Sequence, residues 1–299
     1  MTFQKRSCFV TTMDLKLKDQ LREDLIDQGF TLTTPAYTFF SAKKKGISCT
    51  LYTSGKLLIQ GKEMDGFIRF YIEPQILQAF TYSNPEPTDT SERIGVDEAG
   101  KGDFFGPLCI AAVYADKEKI QALLALGIRD SKTLSDPAVI ALSSKIKAIC
   151  PHALVILKPK TYNQLYARFQ NLNRLLAWGH ATAIAELVQK THCKQVIIDQ
   201  FAHERVILDA IKQKKLDLEL TQRHRAESDL VVAASSILAR DAFLQGLYNL
   251  RLFYKIQLPK GASQEVIRIG KAFCVKYSSS LLEEVAKLHF KTLQEILAH

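Results

Sequence analysis

At 299 residues, 47% hydrophobic and 24% charged, the chain is long enough for two domains, and its composition excludes a low-complexity or membrane-embedded protein. Lys and Arg number 40 against 31 Asp and Glu, a formal charge of +9; that balance favours a polyanionic partner, nucleic acid above all, and no basic amphipathic helix of the membrane-surface kind accompanies it. The six cysteines (Cys8, Cys49, Cys109, Cys150, Cys193, Cys274) lack zinc-site or thioredoxin spacing, the opening MTFQKRSCFVTT holds no signal-peptide apolar stretch, and no run approaches the roughly 20 apolar residues of a membrane span, so a soluble, cytoplasmic protein is expected.

Helical spacing over residues 13–28 is followed by strand-like runs at 36–41, 47–53 and 56–60, the last two joined by the hairpin turn Thr53-Ser54-Gly55-Lys56. A second helix is expected over 67–80, started or interrupted at Glu73-Pro74. Residues 1–80 thus read as a small α+β domain. Lys43, Lys44, Lys45, Lys56 and Lys62 gather charge around its hairpins, with Tyr52 and Gln60 as polar contacts. A solvated lysine-rich face explains such a run equally simply. The segment SCTLYTSGKLLIQGKE resembles half of the TATA-box-binding-protein fold, which implies a curved sheet offering one face to a nucleic-acid duplex. Residues 81–93, TYSNPEPTDTSER, break the apolar pattern and read as a linker.

From residue 94 onward strands alternate with helices, the pattern of an α/β domain over 94–299. The first segment is IGVDEAGKGDFFGPL. An apolar run carries the chain into Asp97 and Glu98, and desolvating a carboxylate pair is expensive unless something such as a divalent metal offsets it. The following Gly100-Lys101-Gly102 is read as a flexible loop that lets a polymer backbone approach. Strands at 95–97 and 109–114 are expected to pair antiparallel across it. Helices are expected at 117–126, 136–149, 161–190, 205–213, 228–250, 263–277 and 281–298, with further strands at 153–157 and 195–199.

Three later segments carry candidate groups. Asp130-Ser131-Lys132 follows an apolar helix and reads by itself as a terminating turn. Asp199 ends the apolar strand VIIDQ, as Asp97 ends its own. Arg225-Ala226-Glu227-Ser228-Asp229 precedes the Ala-Ser-rich helix LVVAASSILAR; Ser228 is its expected N-cap, and the helix dipole alone accounts for both acids. Ala233, Ala234, Ser235, Ser236 and Ala239 would let that helix lie close to the sheet.

The IGVDEAGKGDFFGPL segment resembles the signature of the type 2 ribonucleases H. The GKGDFFGPL form, NLNRLLAWGHA (residues 171–181) and LPKGAS (residues 258–263) resemble the ribonuclease HIII branch in particular. The resemblance implies an α/β ribonuclease H-like catalytic domain with helices around a mixed sheet. It implies hydrolysis of the RNA strand of RNA–DNA hybrids by a two-metal-ion mechanism with Mg²⁺ or Mn²⁺, leaving 5′-phosphate and 3′-hydroxyl ends. Asp97, Glu98 and Asp199 are the implied metal ligands, with Asp97 shared by both ions, and Glu227 or Asp229 is the fourth acid. Gly100, Lys101 and Gly102 would sense the ribose 2′-hydroxyl and a phosphate, and Ser131 and Lys132 the backbone. His180 is expected to be a packed, hydrogen-bonded histidine. Nicking at single embedded ribonucleotides, and non-catalytic nucleic-acid binding, are the competing readings. No obligate protein partner is evident.

Overall fold

The computed structural model describes residues 8–78, 82, 89–128, 134–223 and 226–298, apart from the side chain of Glu227. It divides into two compact units, Met1–Asp89 and Thr90–His299.

In the first unit, β1 (Cys8–Thr12) leads through a turn to α1 (Lys18–Asp27), β2 (Thr31–Thr33), β3 (Thr38–Lys44), β4 (Ile47–Tyr52) and β5 (Lys56–Gly61). The strands form one antiparallel sheet in the order β1-β5-β4-β3-β2. The helix expected from residue 13 begins later, because the Asp14 carboxylate caps a separate turn, Leu15–Leu17, by accepting from the Lys16 N–H. β1 and β2 lie outside the sequence expectation. Both are short edge strands that alternate only between exposed and half-buried, so neither carries an apolar signal. In β4, Ile47, Cys49 and Leu51 are buried while Ser48, Thr50 and Tyr52 stay half-open, the alternation of a sheet with one covered face. α2 (Met64–Phe67) continues as a wider, π-wound stretch, Ile68–Leu77, that holds Pro74. That helix starts earlier than expected, and residues 79–81 lie outside the described ones.

The second unit is built on β6 (Arg93–Ala99), β7 (Leu108–Ala115), β8 (His152–Leu157), β9 (Gln195–Asp199) and β10 (Glu219–Arg223). Their order is β10-β9-β6-β7-β8. β6, β7 and β8 pair antiparallel, whereas β9 runs parallel to both β6 and β10. Arg93, read from sequence as the linker's last residue, is already the first of β6. β10 was hidden because its sequence, ELTQR, is a polar edge strand with no buried residue.

Helices cover both faces of this sheet, and the two-residue period of the strands assigns each side chain to one of them. Ile94, Val96, Leu108, Ile110 and Ala112 pack under α6 (Leu172–Thr191). Ala111, Val113 and Ala115 pack under α3 (Lys117–Ala125), α4 (Asp136–Ile149) and α8 (Leu230–Tyr254). The helix expected over 161–190 is two helices, α5 (Pro159–Phe169) and α6, because Gln170 turns left-handed at φ 50° and the Asn171 side chain caps the new start. α7 (Glu204–Gln213) and α9 (Gln264–Tyr277) fall close to expectation. The expected last helix is instead a tight turn, Ser279–Glu284, then a bend, then α10 (Thr292–Leu297).

At 25 residues α8 is long and apolar enough to cross a bilayer, which the sequence reading did not anticipate; 72% of its most apolar window is buried inside the fold. Its N-cap is Asp229 rather than the expected Ser228, since the Asp229 carboxylate accepts from the Val231 and Val232 N–H groups. Close seating on β6 needs Gly95: a Cβ there would stand 2.5 Å from the Val231 carbonyl carbon. The Ser235 hydroxyl then donates to the Gly95 carbonyl across 2.7 Å.

Candidate active site

The parallel ladder between β6 and β9 ends at Val96 opposite Ile198. The next residue on each strand is an acid, Asp97 and Asp199, so both carboxylates leave the sheet at the same edge. Alternation sends Asp97, like Gly95, to the α8 face and Glu98, like Val96, to the α6 face. There Asp97 accepts from the Ser236 hydroxyl of α8. Glu98 meets the buried His180 of α6, Nε2 to Oε2 3.0 Å, and the Lys101 ammonium, 3.4 Å from Oε1. Asp199 accepts from the Ala226 N–H at 3.0 Å. The three acids line one cleft of about 350 Å³, together with Gly100, Lys101, Gly102, Ser236, Arg240 and Lys260.

The charges are unevenly compensated. Burial, and then the neighbouring charge of Glu98, pushes the Asp97 carboxyl up to about 7, against the Ser236 hydroxyl and the Glu98 N–H. Burial also works against ionised Glu98, but the His180 hydrogen bond and the Lys101 ammonium outweigh it and hold this carboxyl below its usual range. Of these two, Asp97 is therefore the carboxylate more in need of a cation.

The glycine loop is pinned, not flexible. Gly100 sits at φ +87°, and a Cβ there would stand 2.2 Å from the Pro107 carbonyl oxygen. The Gly261 N–H donates to Asp103 Oδ1 at 2.6 Å, and the Phe104 N–H to the Gly261 carbonyl at 2.9 Å. From behind, the fully buried Lys287 ammonium donates to the carbonyls of Phe105, Gly106 and Pro107 at 3.4, 2.6 and 3.4 Å. Burial pushes that ammonium down to about 7, with Asp103 pulling it back up. Lys101 itself is committed to Glu98 and lies 5.8 Å from the Phe201 ring centre.

Asp229 does not line the cleft. Besides capping α8 it pairs with buried Arg93, Nε to Oδ2 2.9 Å, with side chains only 7% and 3% exposed. The backbone of Glu227 lies in the turn Ala226–Ser228 beside Asp199's partner, and its side chain lies outside the described atoms. Ser131 and Lys132 also fall outside the described residues. Sequence reasoning missed the roles of Ser236 and His180 and the presence of Arg240 and Lys260 in the cleft. The one available signal was the i, i+4 spacing that puts Ser236 and Arg240 on one face of α8.

An all-oxygen donor set at adjoining strand ends suits a hard divalent cation, which takes one or two carboxylates and keeps several waters. Among the described residues no three His, Cys, Asp or Glu side chains form a ready-made cage. Glu98 is turned to His180 and Lys101, and Asp199 to a backbone N–H, so the donors that fit the ion are present but hold other partners.

The family model described as Ribonuclease HII matches residues 94–293, and one described as a domain of unknown function (DUF3378) matches 8–82. Ribonuclease HIII of Protochlamydia amoebophila is 55% identical over 290 residues, 97% of this chain and 96% of the relative. The chain belongs to the ribonuclease HIII family. A second ribonuclease HIII, from Chlamydia felis, is 47% identical over 291 residues, 96% of this chain and 97% of its own. Among solved structures, that of Bst-RNase HIII in complex with Mn²⁺ superposes with a TM-score of 0.68 at 29% identity, covering 97% of this chain and 98% of that one. Ribonuclease HIII membership accounts for the architecture: a ribonuclease H-like mixed sheet between helices, plus a small amino-terminal α+β unit with its own sheet.

Proposed function

We propose that this chain is a metal-dependent endoribonuclease that hydrolyses the RNA strand of RNA–DNA hybrids. The observation that carries the reading is the convergence of Asp97, Glu98 and Asp199 on one cleft from adjoining strand ends. Asp97, Glu98 and Asp199 would hold Mg²⁺ or Mn²⁺. Two such ions, when bound, activate the attacking water and stabilise the leaving 3′-oxygen, leaving 5′-phosphate and 3′-hydroxyl ends.

The chain's own residues do the remaining work. Ser236 holds the Asp97 carboxylate by a hydrogen bond, and His180 orients that of Glu98 from behind. The pinned Gly100-Lys101-Gly102 backbone offers rigid donors and acceptors to a ribose 2′-hydroxyl, the group that separates RNA from DNA. Ser131 and Lys132 would contact the nucleic-acid backbone. Glu227 serves as the fourth acid; the reading is supported by Asp229 being occupied as helix cap and partner of Arg93. Residues 1–80 form the hybrid-binding domain and the stretch from 81 up to the start of β6 its linker, in keeping with exposed Lys43, Lys44, Lys45, Lys56 and Lys62 and the half-open Tyr52. The enzyme works in the cytoplasm, in keeping with six free cysteines.

The test is cleavage of a labelled hybrid with and without Mg²⁺ or Mn²⁺. Asp97→Asn is expected to lose several kcal/mol of transition-state stabilisation, on the order of a thousandfold in kcat. Wild-type-like cleavage by that variant would sink the mechanism. Cleavage confined to single embedded ribonucleotides would replace the substrate.

A further inference from the structure

The cleft does not end at the carboxylates. A second trough of about 250 Å³ continues from it, and Leu244 and Lys260 line both. Its floor is one stripe of α8: Ser236 and Arg240 in the cleft, Leu244 at the join, then Tyr248 and Arg251 at i, i+4, i+8, i+12 and i+15 from Ser236. Tyr248 is 52% exposed although it faces the trough. At the join the Asp136 carboxylate holds two cations at once, the Arg240 guanidinium at 2.6 Å and the Lys260 ammonium at 2.9 Å.

Two features separate this from an ordinary surface ion pair. One carboxylate is divided between two cations, and partly exposed pairs of this kind add little stability, so holding the fold does not account for the cluster. Lys260 is also placed by its neighbour: Gly261 is tied to Asp103 and Phe104 of the glycine loop, so the Lys260 backbone is held beside the cleft. The result is a set of cations along a trough that starts at the carboxylates, with an aromatic ring beside the farthest one.

We propose that this trough is a separate subsite for the substrate's phosphodiester backbone, on one side of the scissile position. Arg240 and Lys260 meet the phosphates nearest the cleft, and Arg251 with Tyr248 the farthest. Arg240 and Arg251 are about 16 Å apart along the helix, or about five base pairs of duplex axis. The inference rests on the ribonuclease reading for its occupant, a duplex with a long arm on that side.

The experiment uses hybrids with a fixed cleavage position and either arm shortened in steps, with full-length wild type, Arg251→Ala and Tyr248→Ala. For wild type, KM rises once one arm falls below about five pairs, whatever the length of the other arm. Arg251→Ala raises KM on the long hybrid about fivefold with kcat retained, and no longer responds to that arm. Its slope of log Kd against log salt falls by about 0.9, one phosphate contact. Fluorescence anisotropy of the same hybrids without divalent cation reads the trough whether or not anything is cut. Wild-type affinity and arm dependence in both variants would overturn the subsite. Weakened affinity in the variants, with a wild type that cuts no hybrid, would support the subsite and overturn only the ribonuclease reading.

Discussion

His180, with no exposed surface, presents Nε2 to Glu98 Oε2 at 3.0 Å. Since Glu98 is held ionised, the imidazole must be the donor, and its Nδ1 has no hydrogen-bond partner among the described residues. The histidine therefore aims the carboxylate from the back of the cleft. His180→Ala is expected to weaken Mn²⁺ binding about 10- to 100-fold by calorimetry on the metal-free protein, the usual effect of losing a ligand's outer partner. His180→Asn, which can keep one donor, should recover part of it. Unaltered Mn²⁺ affinity in both variants would mean that Glu98 needs no support.

Arg93 and Asp229 form a buried pair, and removing either side chain breaks a buried charge contact. Asp229→Ala is expected to cost about 3–5 kcal/mol of unfolding free energy, measured in denaturant. Arg93→Ala should cost a similar amount. At a temperature where the Asp229 variant is folded, hybrid cleavage should persist, whereas Glu227→Gln should abolish most cleavage at near-normal stability. The reverse pattern would exchange the two acids.

Lys287 makes folding stability depend on pH in the alkaline range. Its pKa is about 7 when folded and 10.5 when unfolded, so between those values the unfolded chain carries a proton that the folded chain lacks. Unfolding free energy of wild type relative to Lys287→Met should therefore climb from pH 7 to 10, by at most about 1.4 kcal/mol per unit. Below pH 7 the difference should be level. A difference that stays level from pH 6 to 10 would mean that the three carbonyls keep the ammonium charged throughout.

Two glycines near the acids should respond oppositely. Gly95→Ala drives a methyl into the Val231–Val232 backbone and is expected to cost about 1–3 kcal/mol, with a fall in kcat as Ser236 moves away from Asp97. At Gly102 a Cβ meets nothing within 4 Å, so Gly102→Ala should leave stability within about 0.5 kcal/mol and act only through the substrate. Equal thermal stabilities for the two variants would contradict the close helix–sheet contact.

Much of the catalytic unit was legible because burial writes itself into local pattern. Asp97 and Asp199 stood out since each interrupts an apolar strand, and the same alternation that marks those strands assigns Asp97 and Glu98 to opposite faces. What escaped was made by contacts distant in sequence. His180 looked like any packed histidine on an apolar helix, and nothing local couples it to Glu98. Arg93 read as the tail of a linker because its partner, Asp229, lies on a different element. The glycine loop looked mobile because Gly261 and Lys287, which hold it, come from the carboxyl-terminal third. β10 and the break at Gln170 escaped for the opposite reason: a polar edge strand and a left-handed residue leave almost no hydrophobic signature.

The parallel pairing of β6 with β9 has a consequence for the life of the nascent chain. Asp97 and Asp199 become neighbours only after about a hundred intervening residues have been laid down in between, a contact of high sequence separation that forms late. A ribosome-bound fragment ending before β9 carries the acidic pair of β6 without its counterpart. On the proposed ligand set, divalent-cation affinity would appear only once β9 has joined the sheet, and bound cation would protect the assembled catalytic unit as a whole rather than any segment of it.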